Sequence, residues 1–282
     1  MEIKKLMVIG AGQMGSGIAQ VAAQIGINVV LNDIKTEFAE RGYGIIVKNL
    51  TRNVEKGKMT EEEKNAILGR IVLSVDVNDA KDCDLVIEAI VEDINVKGAL
   101  YKQLDEICKA ETILASNTSS LPITKIASYT KRPDKVIGMH FSNPVPVMKF
   151  LEVIKGAKTS EETTNTVVAL GKAMGKEPVE AKDFPGFGLN KIYISMLNEA
   201  IYSVYEGIAT PEGIDTLLKT GAGHKMGPLE VADLVGLDTV LHIMETLQNG
   251  YGDPKYRPCP LLRQYVDAGK LGRKTGEGFY KY

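Results

Sequence analysis

An apolar run, Leu6–Ile9, leads without a break into Gly10-Ala11-Gly12-Gln13-Met14-Gly15, and an amphipathic stretch, Ile18–Ile25, follows. Strand, glycine turn and helix in that order leave a chain few choices. Gly10 permits the tight turn, Gly12 lets a pyrophosphate approach the backbone, and Gly15 lets helix and strand pack closely, with Gly17 extending the pattern. The helix start offers N–H groups and a positive dipole end to phosphate. Asp33 ends the next apolar run, 23 residues after Gly10, near the spacing of about 20 at which an acid meets the ribose hydroxyls of a dinucleotide. Its carboxylate would repel a 2′-phosphate, which favours NAD(H), although Lys35 two residues later leaves NADPH use open. The alternative, an ordinary strand–helix turn, gives no reason for the full glycine pattern followed by an acid at the end of the next strand. The second glycine-rich stretch, Gly221–Gly227, follows a helical pattern at Leu217–Lys219 and reads as a helix–helix turn.

Short apolar runs continue at Asn28–Leu31, Leu85–Glu88, Thr112–Ala115, Val136–Met139 and Phe150–Ile154. Helical patterns follow the first four runs of the chain. This alternation predicts an α/β fold, a Rossmann-type doubly wound sheet. Lys35–Arg70 reads as two successive helices, with a turn near Gly57 and a capping box at Thr60-x-x-Glu63. The pattern changes over Pro178–Pro185, where Asp183-Phe184-Pro185-Gly186 reads as a linker and a helix start, with Pro185 in the first turn. From Leu189 to Tyr205 apolar residues recur at spacings of three and four, the mark of one long amphipathic helix. Thr210-Pro211, Pro228 and Pro260 start further helices. The expected domains are therefore 1–184, a dinucleotide-binding unit with a helical insert near 35–70, and 185–282, an all-α substrate and dimerisation unit.

Composition excludes several function classes. The chain has 282 residues with 34 Lys+Arg against 36 Asp+Glu, a net charge of −2, so no global basic field exists to hold a nucleic acid. No apolar run approaches the roughly 20 residues of a spanning helix, and no membrane partner is expected. Three cysteines, none in a C-x-x-C pair, argue against a metal or disulfide framework and fit a reducing, cytoplasmic setting.

Ligands of doubly wound sheets bind beyond the carboxyl ends of the strands, and here those ends are rich in polar residues. The third run ends in Glu88 and continues to Glu92 and Lys97; the fourth ends in Ser116-Asn117-Thr118-Ser119-Ser120; the fifth leads to His140-Phe141-Ser142-Asn143-Pro144. Each alone is compatible with a capped turn. Together at one edge they read as a site. If Phe150–Ile154 pairs back on the preceding strand, Glu152 comes beside His140. A carboxylate there fixes the imidazole tautomer and favours its protonated form, as proton transfer requires. The alternative is a buried ion pair that only braces the sheet.

These stretches, with Val86-Ile87-Glu88-Ala89-Ile90, Pro185-Gly186-Phe187 and the tail Gly276-Glu277-Gly278-Phe279-Tyr280, resemble the L-3-hydroxyacyl-CoA dehydrogenases, and among them the bacterial 3-hydroxybutyryl-CoA dehydrogenases. The resemblance spans essentially the whole chain. It implies His140 as catalytic acid/base oriented by Glu152, with Ser119 and Asn190 on the substrate's 3-oxygen. It also implies a dinucleotide site of Gly10, Ala11, Gly12, Gln13, Met14, Gly15, Asp33, Glu92, Lys97, Ser119, Asn143 and Lys274. The reaction so implied is hydride transfer between NADH and C3 of acetoacetyl-CoA, giving (S)-3-hydroxybutyryl-CoA. A homodimer through the helical domain is implied as well, with Leu234–Leu247 as a possible interface. Arg41, Lys48, Arg52, Lys56 and Lys58 face a single acid, Glu55, between residues 41 and 58. That run is either a solvated helix face or the seat of the CoA phosphates, with Arg52 and Lys56 the chosen candidates. Two rival readings compete: a 6-phosphogluconate/3-hydroxyisobutyrate-type dehydrogenase using Lys191 for proton transfer, and a nucleotide-binding protein without catalysis.

Overall fold

The computed structural model describes all of residues 1–282. It divides into two compact units, Met1–Asp183 and Phe184–Tyr282.

The first unit is an eight-stranded sheet with helices. In chain order its strands are β1 (Lys5–Ile9), β2 (Asn28–Asn32), β3 (Ile71–Ser74), β4 (Leu85–Glu88), β5 (Ile113–Ser116), β6 (Val136–Phe141), β7 (Phe150–Lys155) and β8 (Glu177–Lys182). They lie in the order β3-β2-β1-β4-β5-β6-β7-β8. From β3 to β6 neighbours are parallel. β7 then runs antiparallel to β6, and β8 parallel to β7. The helices of this unit are α1 (Gln13–Gln24), α2 (Thr36–Glu55), α3 (Glu61–Leu68), α4 (Ile94–Ile107), α5 (Ile123–Ala127) and α6 (Glu161–Ala173). The fold is thus the Rossmann-type α/β arrangement expected. Leu6, Val8, Leu31, Leu85, Ile87 and Ile137, all buried, form the centre of its core with Ile18 and Ile46. Burying each such side chain contributes about 1.5–3 kcal/mol.

Local rules of the sequence account for the elements around the glycine turn. Gly10 has φ +97°, a region L side chains rarely enter. A Cβ on Gly15 would overlap the Gly10 carbonyl oxygen, whereas one on Gly12 would meet nothing within 4 Å. The turn before α3 is the predicted capping box: Thr60 Oγ1 accepts from Glu63 N at 3.2 Å and Glu63 Oε2 accepts from Thr60 N at 2.8 Å.

Two strands were not legible as runs. β3 has only four residues, and Val72 is exposed. β8, Glu177-Pro178-Val179-Glu180-Ala181-Lys182, is polar and contains a proline, which an edge strand tolerates. The change of pattern that begins at Pro178 is therefore this strand, and the linker read at Asp183–Gly186 begins after it.

The second unit is helical: α7 (Leu189–Tyr205), α8 (Pro211–Gly221), α9 (Pro228–Val235), α10 (Leu237–Tyr251) and α11 (Pro260–Asp267). The helix start expected at Pro185 lies instead at Leu189, because Gly186 and Phe187 both have positive φ, 73° and 52°. Gly221–Gly227 is the expected turn between α8 and α9. Leu237, Val240, Ile243, Met244 and Leu247 are buried against Leu197, Ile201 and Leu262 of their own unit. The apolar stretch Leu234–Leu247, considered above for a dimer interface, is thus mostly core. Exposed apolar side chains of this unit include Phe184, Leu189, Ile192, Tyr205, Ile208 and Leu217, besides Leu234 at the start of that stretch. No helix is long and apolar enough to cross a membrane. The cysteines Cys83, Cys108 and Cys259 are free and buried.

The two glycines should separate stability from binding. Gly15→Ala is expected to destabilise the protein by about 1–3 kcal/mol, the usual cost of overpacking. Gly12→Ala, facing open space, should unfold within about 1 kcal/mol of wild type yet weaken NADH binding. Thermal denaturation and NADH titration of both variants check this.

Candidate active site

Register assembles the site. Along the parallel half, Ile9 lies level with Asn32 and with Glu88, Glu88 with Ser116, and Ser116 with Gly138. The carboxyl ends of five strands therefore share one edge. Gly10, Asp33, Glu88, the Asn117–Ser120 loop and His140 all stand there. The reversal at β7 adds the decisive neighbour, since Glu152 pairs directly with His140 in the antiparallel register. Glu152 Oε2 lies 2.9 Å from His140 Nδ1. Both residues are buried, and the Phe150 ring meets the imidazole edge-on at 5.5 Å. Asn117 Oδ1 accepts from Phe141 N at 3.0 Å, tying the end of β6 to the loop after β5.

The turn at Gly10–Gly15 fits a dinucleotide. No side chain caps α1 at Gly12, so its first-turn N–H groups face outward with the positive end of the helix dipole. The empty space over Gly12 is where a phosphate can reach them. Asp33 Oδ2 accepts from Ala11 N at 2.8 Å, and Oδ1 from Ile34 N at 2.7 Å. The carboxylate is thereby fixed at the mouth of the turn. Lys35 stands 5.7 Å from the Phe38 ring centroid. Gln13 Nε2 donates to Asn143 Oδ1 at 3.3 Å, linking the turn to the loop beyond His140.

Between these features lies a buried charge network. Lys97 on α4, 1% exposed, donates to both Glu88 oxygens at 2.9 and 2.7 Å and lies 3.4 Å from Glu92 Oε2. Ser116 Oγ also donates to Glu88. Glu92 Oε1 in turn accepts from Thr118 Oγ1 at 2.5 Å, Ser119 N at 3.0 Å, Ser120 N at 3.1 Å and Ser120 Oγ at 3.0 Å. Burial would raise the Glu92 carboxyl, but Lys97 and these hydrogen bonds outweigh it and hold it below the usual carboxylate range. One carboxylate thus organises the loop that carries Ser119. Strand-end polarity flagged Glu92, Lys97 and the Ser116–Ser120 cluster as part of a site, and resemblance put Glu92 and Lys97 on the nucleotide, but sequence offered no partners for Asn117, Thr118 or Ser120. Lys97 is enclosed by the carboxylates of Glu88 and Glu92.

A cleft of about 560 Å³ opens beside the turn. Its lining includes Gln13 and Gly17 of α1, Asn49, Arg52, Asn53, Lys56 and Lys58 of the α2 region, and the loop Asn143–Val147. Three cations and no acid line it. Arg52 and Lys56 belong to this cleft, whereas Arg41 and Lys48 do not, and Arg41 lies over the Phe38 ring. In the helical unit, Asn190 is buried near the start of α7. Lys274 donates to Asp238 Oδ1 at 2.6 Å and Thr239 Oγ1 at 3.2 Å.

Removing Lys97 tests the network. Lys97→Met would leave Glu88 charged and unpaired in the core, and a loss of about 3–5 kcal/mol is expected. Urea denaturation measures it.

Comparison with known proteins agrees with this geometry. Residues 5–184 match the family of the 3-hydroxyacyl-CoA dehydrogenase NAD binding domain, and residues 186–282 match that of its C-terminal domain. A protein of Bacillus subtilis named probable 3-hydroxybutyryl-CoA dehydrogenase is 58% identical over 282 residues, covering 100% of this chain and 98% of that one. Human mitochondrial hydroxyacyl-coenzyme A dehydrogenase is 46% identical over 99% of this chain and 91% of its own. The crystal structure of (S)-3-hydroxybutyryl-CoA dehydrogenase from Ralstonia eutropha superposes with a TM-score of 0.98 at 47% identity, covering 100% of this chain and 99% of that one. With both domain families matched end to end, the chain belongs to the 3-hydroxyacyl-CoA dehydrogenase family.

Proposed function

We propose that this enzyme interconverts acetoacetyl-CoA and (S)-3-hydroxybutyryl-CoA with NAD(H) as the redox partner. The observation that carries the reading is the His140–Glu152 pair, held in strand register on the same sheet edge as the glycine turn and Asp33. The dinucleotide, when bound, supplies or accepts the hydride at C3. Gly10, Ala11, Gly12, Gln13, Met14 and Gly15 would hold its pyrophosphate, and Asp33 its ribose. Glu92, backed by Lys97, and Ser119, Asn143 and Lys274 complete its contacts.

The chain's own residues handle the proton. With Nδ1 engaged by Glu152, exchange with the substrate's 3-oxygen falls to His140 Nε2. In the reductive direction the protonated ring donates as negative charge develops on that oxygen, while Glu152 stabilises the imidazolium. Ser119 would hydrogen-bond that oxygen, and the family resemblance implies the same role for Asn190. In the oxidative direction the neutral ring accepts the proton. Arg52 and Lys56 would meet the CoA phosphates, a role supported by their place in an acid-free cleft.

Lys191, the proton carrier of the rival 3-hydroxyisobutyrate-type reading, lies 4.7 Å from the Tyr251 ring centroid. Its hydrogen bond with Tyr251 raises its pKa above the ordinary lysine value. That is the wrong direction for a group that must release a proton near neutral pH. A cytoplasmic location and a homodimer belong to the same proposal. Free buried cysteines support the first, and exposed Ile192, Ile208 and Leu217 on the helical unit support the second.

Initial rates decide the substrate and cofactor. Acetoacetyl-CoA with NADH should be turned over efficiently, and NADPH and free acetoacetate should serve poorly. Equal efficiency with both cofactors would remove the role given to Asp33, and turnover of free acetoacetate would favour the rival class.

The dyad has its own signature. His140→Gln should lower kcat by roughly 10²–10⁴ with little change in NADH affinity. Glu152→Gln keeps the shape and a hydrogen bond but removes the negative charge beside the ring. Its kcat should fall while NADH affinity is kept, and an unchanged kcat in a folded Glu152→Gln enzyme would take Glu152 out of proton transfer.

A further inference from the structure

One buried cation lies outside every role assigned so far. Lys176 is 7% exposed and stands immediately before β8, whose first residue Glu177 is level with Phe150 of β7. That register sets it under the loop Asn143–Met148, the segment joining β6 to β7. Its ammonium donates to the carbonyl of Val145 and, at 2.8 Å, to that of Met148. The loop's own backbone bonds are limited to the Pro144 carbonyl, which accepts from Val147 N at 2.9 Å and Met148 N at 3.0 Å. The Val145 and Met148 carbonyls find their partner in Lys176.

The loop is fixed from a second side at Gly17. Val145 is 1% exposed, and a Cβ on Gly17 would stand 2.9 Å from Val145 Cβ. Gly17 is thus required by the close approach of this loop to α1, beyond what the G-x-G-x-x-G turn needs. Asn143–Val147 and Gly17 are also lining residues of the cleft that contains Arg52 and Lys56.

We infer that Lys176 is a positioning residue for coenzyme A recognition: with Gly17 it holds the Asn143–Met148 loop where it forms one wall of the cleft that takes the CoA body. The inference rests on reading that cleft as the CoA site. Burial of the ammonium is unfavourable by itself, and the two carbonyls offset it only while the loop stays in place.

The test compares two substrates, acetoacetyl-CoA and the acetoacetyl thioester of N-acetylcysteamine, which lacks the nucleotide and its phosphates. At saturating NADH, so that a shift of Asn143 on the same loop does not enter, Lys176→Met should lose roughly tenfold in kcat/KM for the CoA ester, about 1.4 kcal/mol, chiefly through KM, and only a small part of that for the short thioester. Gly17→Ala, which displaces Val145 while Lys176 is intact, should likewise lose more on the CoA ester than on the short thioester and carries the test if Lys176→Met does not fold. Equal losses on both substrates would mean general damage and overturn the inference, as would no loss on either. Arg52→Ala with Lys56→Ala is the control for the underlying reading and should raise KM for the CoA ester. If that control responds and the Lys176 and Gly17 variants do not, the CoA cleft stands and the positioning role falls. If the control is silent, the CoA reading falls and takes the positioning role with it.

Discussion

The antiparallel pairing of β6 with β7 is the constraint on which the rest of the site depends. In a parallel neighbour, a residue level with His140 would arrive through a crossover element, and the carboxylate would sit at the far end of a helix connection. Reversal through a short loop instead sets Glu152 directly opposite His140, with Nδ1 and Oε2 2.9 Å apart. The pair needs no flexible reach, because each side chain leaves the sheet from a hydrogen-bonded strand. The same reversal has a second consequence. The starts of β7 and β8 come to the edge where the parallel strands end, and this brings Lys176 beneath the loop that the reversal creates.

Electrostatics at that edge is arranged in nested pairs. Lys97 neutralises Glu88 in the core and leans on Glu92; Glu92 gathers two N–H groups and two hydroxyls of the loop bearing Ser119. A loop of small polar residues has little apolar surface to fix it. A charged acceptor gives it charge-assisted hydrogen bonds, each stronger than a neutral bond. Order at Ser119 is therefore imposed from the core outward, through groups that need never touch a substrate.

Much of this was legible in the sequence, for identifiable reasons. The glycine turn was readable because Gly10 and Gly15 answer demands of the fold, a positive φ and a close approach to the Gly10 carbonyl oxygen, while Gly12 leaves open space where a ligand can come. The capping box and α7 were readable because they are local, set by residues three and four apart. The pairing of His140 with Glu152 could be anticipated from two apolar runs joined by a proline-containing loop. β8 was hidden because an edge strand with Pro178 and alternating charges carries no apolar period. The periodic span Leu189–Tyr205 coincides with α7, whereas the helix start read at Pro185 does not hold, because no spacing announces that Phe187 has positive φ. Lys176 was silent, and Asn117 and the hydroxyls around Glu92, though part of the polar strand-end cluster, showed no partners. Their meaning comes from partners more than twenty residues away, and a lysine before a polar strand looks like any surface lysine. The apolar residues of α10 were read as interface when their period equally describes a core helix, and burial decided for the core.

The distribution of buried charge completes the picture. Among acidic, lysine, arginine and histidine side chains, those buried as whole residues in the first unit are Glu88, Lys97, His140, Glu152 and Lys176. All five stand at or just beneath the edge where β4, β5 and β6 end. The opposite edge has none. Replacing a buried ion pair with apolar residues of similar volume is often neutral or stabilising, so folding alone gives no reason to keep five such groups in one region. Each is instead held by partners that leave it one geometry: two carboxylates around Lys97, a strand register around His140, two carbonyls on Lys176. A fold that concentrates its costly desolvation along one rim, and fixes the products of that cost in position, has invested stability in placing atoms there. That rim is the place where the proton, the loop serine and the cleft wall have to be set relative to one another.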